Sequence, residues 1–123
     1  MKKIIASPNA PAAIGPYSQA VEVNGTLFVS GQLPVNPKTG EIPEGIEAQT
    51  RQSLTNVTAI LKEAGLGPNN VVKTCVLLQH ISDFAAMNAV YAEFFPEDKP
   101  ARVCYEVAAL PKGALVEIDA IAI

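Results

Sequence analysis

The order of the predicted elements indicates an α+β fold, with a mixed β-sheet that carries both helices on one face. Two stretches of the 123-residue chain have helical periodicity. They lie among stretches with strand patterns, in the order strand, hairpin, helix, strand, helix, two strands. Apolar residues make up 49% of the chain, which is enough for a sizeable core at this length. We therefore expect residues 1–123 to form a single domain.

The beginning of the chain predicts a short strand, a shaped loop and a hairpin. Lys2–Ala6 is a strand candidate, whereas Ser7–Pro16 contains three prolines and a glycine and cannot form regular structure. Tyr17–Val23 and Thr26–Ser30 then flank Asn24-Gly25, a pair that favours the positive φ angles of a two-residue turn. These two strand patterns therefore predict an antiparallel hairpin.

Two amphipathic helices follow, and a strand separates them. The first is predicted over Ile46–Ala64, where apolar residues recur every three or four positions and a glycine follows. Val71–Gln79 is almost wholly apolar or β-branched, which is typical of a strand covered on both faces. The second helix begins at Ser82 or Asp83 and stops before Pro96. Its apolar positions are Phe84, Met87, Tyr91, Phe94 and Phe95.

The C-terminal stretch predicts two more strands. Arg102–Leu110 alternates between two faces, and Pro111-Lys112-Gly113 interrupts the pattern. Leu115–Ile123 is then apolar except for Glu117 and Asp119. Because carboxylates among buried neighbours need partners, these two side chains mark a candidate polar site.

An arginine and a glutamate in these strands suggest a small pocket. The Arg102 guanidinium can bind an acid group as a planar fork, and Glu117 can hold or activate a water molecule. A structural ion pair between the two is the alternative. In a direct hairpin Ala108 would face Glu117, and Arg102 would lie about 20 Å away. A site that uses both residues therefore needs strands that are not direct neighbours, or a second chain.

One face of the predicted sheet has no covering element. Both helices lie on the other face, and the uncovered face is largely apolar. We therefore expect a homo-oligomer that forms through the sheet.

Composition and motifs exclude several classes of protein. The net charge of -3 gives no basic surface for nucleic acid, and no stretch is long and apolar enough for a transmembrane helix or a secretory signal. Two distant cysteines fit no disulfide framework, so we expect a cytoplasmic protein. There is no glycine-rich phosphate loop and His80 is the only histidine, which argues against a nucleotide cofactor and a metal site.

Four further polar residues can be weighed against structural roles. Ser30 precedes a glycine at a strand end but lacks the motif of a serine nucleophile. Cys104 fits a small core residue better than a nucleophile, and Asn88 fits a structural hydrogen-bonding residue on an apolar helix face. The Tyr17 hydroxyl can point into a pocket, or its ring can pack beside Pro16.

Several strings of the chain closely resemble the signature of the RidA (YjgF-type) family of reactive-intermediate deaminases. They follow one another in the family's order and span the chain. The strings are Ile14–Ala20, Val29–Gln32, Asp83-Phe84 with Asn88, Tyr91 and Phe94-Phe95, Pro100-Ala101-Arg102 with Cys104 and Leu110-Pro111, and Val116–Ile118.

This resemblance implies a chorismate-mutase-like fold assembled as a homotrimer, with the sheets packed into a central barrel and the active sites in clefts between subunits. It also implies hydrolysis of enamine and imine acids, such as 2-aminoacrylate, 2-iminopropanoate and 2-iminobutanoate, to 2-oxo acids and ammonia. The only ligand expected is a small 2-imino or 2-oxo acid, with no metal, cofactor or membrane. Non-catalytic binding or sensing of such acids is the alternative. RNA cleavage is ascribed to some relatives, but the net negative charge of this chain disfavours it.

The resemblance further implies a role for each site residue. Arg102 is expected to grip the substrate carboxylate, and Glu117 to position and polarise the attacking water. The other expected substrate-binding positions are the backbone at Gly31 and Cys104 and the side chains of Tyr17 and Ser30.

Overall fold

Six strands form one mixed β-sheet, and two α-helices cover one of its faces. The computed structural model describes residues 1–123. The elements are β1 (Lys3–Ile5), β2 (Ala20–Val23), β3 (Thr26–Gln32), α1 (Ile46–Glu63), β4 (Val71–Leu78), α2 (Phe84–Phe94), β5 (Ala101–Glu106) and β6 (Val116–Ala122). Across the sheet the strands lie in the order β1-β2-β3-β6-β4-β5, and only β4 and β5 pair in parallel. The α+β class and the mixed sheet predicted from the sequence are confirmed.

The predicted hairpin is formed by β2 and β3. Asn24 and Gly25 take positive φ angles of 50° and 79°, as a two-residue turn of this kind requires. The first strand begins at Ala20 rather than at Tyr17. The preceding residues belong to the N-terminal loop instead, because the Tyr17 amide donates to the Gly15 carbonyl at 2.8 Å.

Both helices lie close to their predicted positions and pack on the same face of the sheet. The buried apolar stripe of α1 consists of Leu54, Val57, Ile60 and Leu61, and that of α2 consists of Met87, Val90 and Tyr91. The sheet residues in the same core include Leu27, Val29, Val76, Leu78, Val116, Ile118, Ala120 and Ala122. Neither helix combines the length and the apolar character that crossing a bilayer would require.

The last two strands do not form a hairpin. β4 lies between them, parallel to β5 and antiparallel to β6. β5 also ends at Glu106 rather than at Leu110 as the alternation predicted. In the segment that follows, the Leu110 amide donates a hydrogen bond to the Gln79 side chain at 3.1 Å. The first alternative considered above, in which the two strands are not direct neighbours, is therefore the one observed.

The sheet face opposite the helices is open in a single chain and largely apolar, as predicted. Its apolar residues include Ile4, Val21, Phe28, Leu77, Val103, Tyr105 and Ile121. The prediction that β4 would be covered on both faces is therefore wrong for the single chain. Lys73 is exposed, and Cys75 and Leu77 are only half-buried, because no element of the same chain packs on this side.

Candidate active site

Arg102 is held against helix α2. Its side chain lies on the helix side of the edge strand β5, since it pairs in register with the buried Thr74. A terminal guanidinium nitrogen donates to Asn88 Oδ1 at 2.7 Å. The guanidinium carbon lies 4.8 Å from the ring centroid of Tyr91 and 5.5 Å from that of Phe84. One hydrogen bond and two cation–π contacts therefore hold the charged group in place.

No carboxylate neutralises Arg102 within the chain. The one ion pair joins Arg51 to Glu93 at 3.0 Å, between the exposed surfaces of α1 and α2. Since Arg102 donates only one N–H to Asn88, most of its donors remain available to a planar acid group. Arg102 and Glu117 therefore do not form a structural ion pair within this chain.

Asn88, on the face of α2 beneath Arg102, has a role that the sequence did not reveal. Asn88 was predicted to be a structural hydrogen-bonding residue, and its partner is the candidate substrate-binding arginine itself. The helical spacing of Phe84, Asn88 and Tyr91 puts all three on one face and is the signal that could have found this. Tyr91 is buried with its hydroxyl 2.7 Å from Thr74 Oγ1, and burial raises the pKa of that hydroxyl.

Glu117 lies in β6 against the backbone of β3. A β-bulge places both Ser30 and Gly31 opposite the single Asp119 of β6. A Cβ atom added at Gly31 would overlap the Glu117 carboxylate. Only glycine therefore lets the backbone come this close to the carboxylate.

The Glu117 carboxyl has no ion-pair partner. Burial raises the pKa of the Glu117 carboxyl, and the neighbouring Asp119 carboxylate raises it further. Asp119 accepts a hydrogen bond from the Cys75 amide at 2.9 Å, although burial raises the pKa of Asp119 as well. Burial in this part of the sheet therefore shifts the pKa values of both carboxyl groups upward.

Ser30 has a structural hydrogen bond within the bulge. Its hydroxyl donates to the Ser18 carbonyl at 2.6 Å, and its amide donates to the Gln19 carbonyl at 2.9 Å. The hydroxyl proton is therefore directed to a carbonyl rather than to a base that could activate the oxygen. In this position Ser30 fixes the conformation of the strand next to Gly31.

Tyr17 lies in the wall of a cleft of about 410 Å³ beside Gly31. The N-terminal loop forms one wall of this cleft, and the buried Gln19 side chain holds the loop to the sheet. Gln19 accepts from the Ser7 amide at 2.6 Å and donates to the Pro11 carbonyl at 2.8 Å. The Tyr17 side chain is exposed in this wall, and its ring lies against Gly15.

Cys104 follows Arg102 on the helix side of β5 and is half-buried. Burial raises the pKa of the Cys104 thiol, which favours the protonated form despite the nearby Arg102 charge. Because β5 is an edge strand, the backbone groups along its outer side have no neighbouring strand. The backbone at this position, rather than the thiol, is therefore suited to hold a ligand.

Metal-ligating side chains do not gather anywhere in the chain. No group of three or more His, Cys, Asp and Glu residues is close enough together to hold an ion. His80 is exposed just beyond the end of β4.

Arg102 and Glu117 lie on opposite faces of the sheet. Arg102 shares the register and face of Thr74, whereas Glu117 shares those of Leu77, three residues further along β4. A single chain therefore does not bring Arg102 and Glu117 together. We name the first group the Arg102 half-site, which comprises Asn88, Arg102 and Cys104. We name the second the Glu117 half-site, which comprises Ser30, Gly31 and Glu117 in the sheet and Tyr17 in the cleft wall beside Gly31.

Comparison with known proteins gives consistent matches along the chain. Residues 7–123 match the family model described as Endoribonuclease L-PSP. The 2-iminobutanoate/2-iminopropanoate deaminase of Escherichia coli K12 is 54% identical and is aligned over 100% of this chain and 98% of its own length. A RutC family protein of Pyrococcus horikoshii is 56% identical over 99% and 98% of the two chains.

Solved structures agree with these matches. The YjgF gene product of E. coli superimposes with a TM-score of 0.96 at 52% identity, with 98% of each chain covered. E. coli TdcF with bound serine gives a TM-score of 0.96 at 47% identity, with the same coverage.

Proposed function

Because the chain belongs to the endoribonuclease L-PSP family, we propose that it is an enamine/imine deaminase, in line with the relatives named 2-iminobutanoate/2-iminopropanoate deaminase. Its substrates are 2-iminobutanoate and 2-iminopropanoate, the latter formed from its enamine tautomer 2-aminoacrylate. Water adds to the C=N carbon, and the C–N bond of the adduct then breaks to give a 2-oxo acid and ammonia. The chain acts over residues 1–123 as one domain of this family.

The observation that carries the proposal is the unpaired guanidinium of Arg102. It is fixed by Asn88 and by the Tyr91 ring, yet no carboxylate of the chain neutralises it. An arginine prepared in this way is suited to a bidentate grip on the substrate carboxylate. The grip fixes the imine carbon for attack, and lysine would not reproduce its planar geometry.

Glu117 positions and polarises the attacking water. Its raised pKa supports this role, because a group whose pKa lies closer to the working pH transfers protons more effectively. The imine carbon is already electrophilic, so the reaction needs neither a covalent intermediate nor a metal. The protein mainly orients its substrate and moves protons.

The remaining residues complete the pocket. The backbone at Gly31 and Cys104 hydrogen-bonds the ligand or the water, and the bulge at Gly31 together with the free edge of β5 supports this assignment. Tyr17 lines the pocket from the cleft wall, and Ser30 contacts it beside the bulge.

The active unit is a homotrimer in which the sheets pack into a central barrel. The apolar open face supports this assembly, because an exposed apolar surface of this kind needs covering. The placement of Arg102 and Glu117 on opposite sheet faces supports it too. Each active site then joins the Arg102 half-site of one subunit to the Glu117 half-site of its neighbour.

The cytoplasm, where dehydratases that depend on pyridoxal phosphate release such imines, is the proposed location. We do not extend the family's description to RNA cleavage. The net charge of -3 gives no general attraction to a phosphate backbone, and the single histidine offers no acid–base pair of the usual kind.

The test is to measure pyruvate and ammonia release when the purified protein is added to a serine dehydratase reaction. Conditions are chosen so that spontaneous hydrolysis of the imine is slow. Wild-type protein is expected to accelerate release, and Arg102→Ala is expected to abolish the acceleration while the oligomer stays folded.

Arg51→Ala is the matched control, since these are the only two arginines in the chain and Arg51 lies in an exposed ion pair. It is expected to act like wild type. If folded wild-type protein gives no acceleration but binds 2-oxobutanoate in a calorimeter, the deaminase proposal is wrong and the chain is a binding or sensing protein.

A further inference from the structure

Asp119 is a second carboxylate on the open face that the mechanism above does not use. It lies two residues from Glu117 on the same face of β6, a separation of about 7 Å along the strand. The Cys75 amide holds one carboxylate oxygen at 2.9 Å, which fixes the orientation of the group. No positive side chain of the chain pairs with either carboxylate.

We propose that Asp119 is a positioning residue that sets the protonation of Glu117, so that Glu117 both accepts a proton from the attacking water and returns it to the departing nitrogen. This inference rests on the proposed deaminase function. It assigns Asp119 an electrostatic effect that acts through Glu117, with no contact between Asp119 and the substrate.

Glu117 takes up and returns protons in three steps of the reaction. The water oxygen bonds to the carbon of the protonated imine as one water proton passes to Glu117, and the C=N electron pair moves to nitrogen. Glu117 then gives its proton to that nitrogen, and the C–N bond breaks with its electron pair to release ammonia. As the C=O bond forms, the hydroxyl proton returns to Glu117 and leaves through ammonia or solvent.

The surroundings of the two carboxylates favour this role. On the open face, β4 presents Lys73 and Cys75 and β5 presents Tyr105, while β3 contributes only uncharged residues at the bulge. Burial raises the pKa of Asp119, while the hydrogen bond from the Cys75 amide and the charge of Lys73 act in the opposite direction. The Asp119 carboxylate in turn raises the pKa of Glu117. In the assembled site the guanidinium of Arg102 is paired with the substrate carboxylate, so Asp119 is the charge that Glu117 faces.

The experiment compares wild type with Asp119→Asn and Asp119→Glu in the intact oligomer. The asparagine keeps the oxygen that accepts from Cys75 and removes only the charge, whereas the glutamate keeps the charge. The Glu117 carboxyl is titrated by ¹³C NMR and identified by its loss in Glu117→Gln. The pH dependence of kcat is measured alongside.

In Asp119→Asn the Glu117 titration and the acid limb of kcat are both expected to move to lower pH. On the acid limb, the fraction of its plateau kcat that this variant retains should be at least roughly three times the fraction that wild type retains, as expected for charges this close. Asp119→Glu should leave both curves in place. Asp119→Gln provides a second uncharged variant if the asparagine variant does not fold.

The two proposals fail in different ways. A Glu117 titration that does not move in Asp119→Asn contradicts the role of Asp119, whether or not the protein turns over imines. Unchanged turnover in Glu117→Gln contradicts instead the function proposed for Glu117.

Discussion

The Arg102 half-site and the Glu117 half-site hold their charged groups by different means. Arg102 lies on an edge strand and is positioned by side chains of α2, with a hydrogen bond at 2.7 Å and an aromatic ring on one side. Glu117 lies on a central strand and is positioned by the absence of a side chain at Gly31. The first group is a guanidinium held in one orientation, whereas burial and the Asp119 carboxylate raise the pKa of the second.

This difference matches the two ends of the proposed substrate. A carboxylate has a permanent charge and needs a rigid cation, while a reacting imine needs a group that can gain and lose a proton. Each half-site also leaves one charge without a partner in its own chain, which is unfavourable until the other half and the substrate arrive. The predictions below test whether the two halves are separate parts of one site.

The largest effect is expected from mixing two inactive variants. Arg102→Ala and Glu117→Gln should each lose roughly 10² to 10⁴ in kcat/KM. Equal amounts of the two variants are then unfolded together and refolded into mixed oligomers. Roughly a quarter of wild-type activity should return, because in a closed ring a quarter of the interfaces join a subunit with an intact Arg102 to a neighbour with an intact Glu117. A mixture no more active than the separate variants would place both residues in one subunit's site.

Within the Glu117 half-site, Gly31→Ala should lower kcat by roughly 10²-fold, since the new methyl group displaces the carboxylate that moves protons. Gly67→Ala is the control, because a Cβ there meets nothing within 4 Å. Steady-state kinetics and thermal melting of both variants make the comparison. Equal kcat values would show that the close approach of Gly31 to Glu117 has no part in the reaction.

A smaller effect is expected in the Arg102 half-site. Asn88→Ala should raise KM about tenfold and change kcat little, because the guanidinium loses the bond that orients it but keeps its charge. Asn69→Ala, at an exposed position, should leave both constants unchanged. A fall in kcat at constant KM would instead assign Asn88 a role in the chemical step.

The smallest effect concerns stability. Folding raises the pKa of the Glu117 carboxyl above its ordinary value of 4.5. Its contribution to stability is therefore fully present below about pH 4.5, where the group is protonated in both states, and is lost as the pH rises through the folded pKa. Glu117→Gln should therefore raise Tm by a few degrees at pH 7 and leave it unchanged at about pH 3. Thermal melts across this range test it, and an increase that does not depend on pH would point to packing instead.

Local patterns in the sequence predicted local structure well. The Asn24-Gly25 turn and both helices follow from residue spacing and backbone preference, which act over a few neighbouring residues. The order of the strands does not follow in this way, because the insertion of β4 between β5 and β6 depends on contacts between distant segments. The alternation up to Leu110 predicts a strand, yet β5 ends at Glu106 and the Leu110 amide bonds to the Gln79 side chain.

The candidate site was predictable in its residue types but not in its geometry. The charged residues Arg102 and Glu117 stood out because carboxylates and guanidinium groups are rare in apolar strands. Their placement on opposite sheet faces depends on strand order, so it could not be read from the chain. The contact of Asn88 with Arg102 likewise joins a helix to an edge strand 14 residues away.

The central position of β6 has a consequence for how the protein is made. β6 pairs with β3 on one side and β4 on the other, so the sheet is divided until this strand is present. A ribosome completes β6 after all of its partners, and until then the emerging chain exposes two unpaired strand edges. Folding of this sheet during synthesis therefore stays incomplete until β6 has emerged, and chaperones that shield strand edges are expected to matter most before that point.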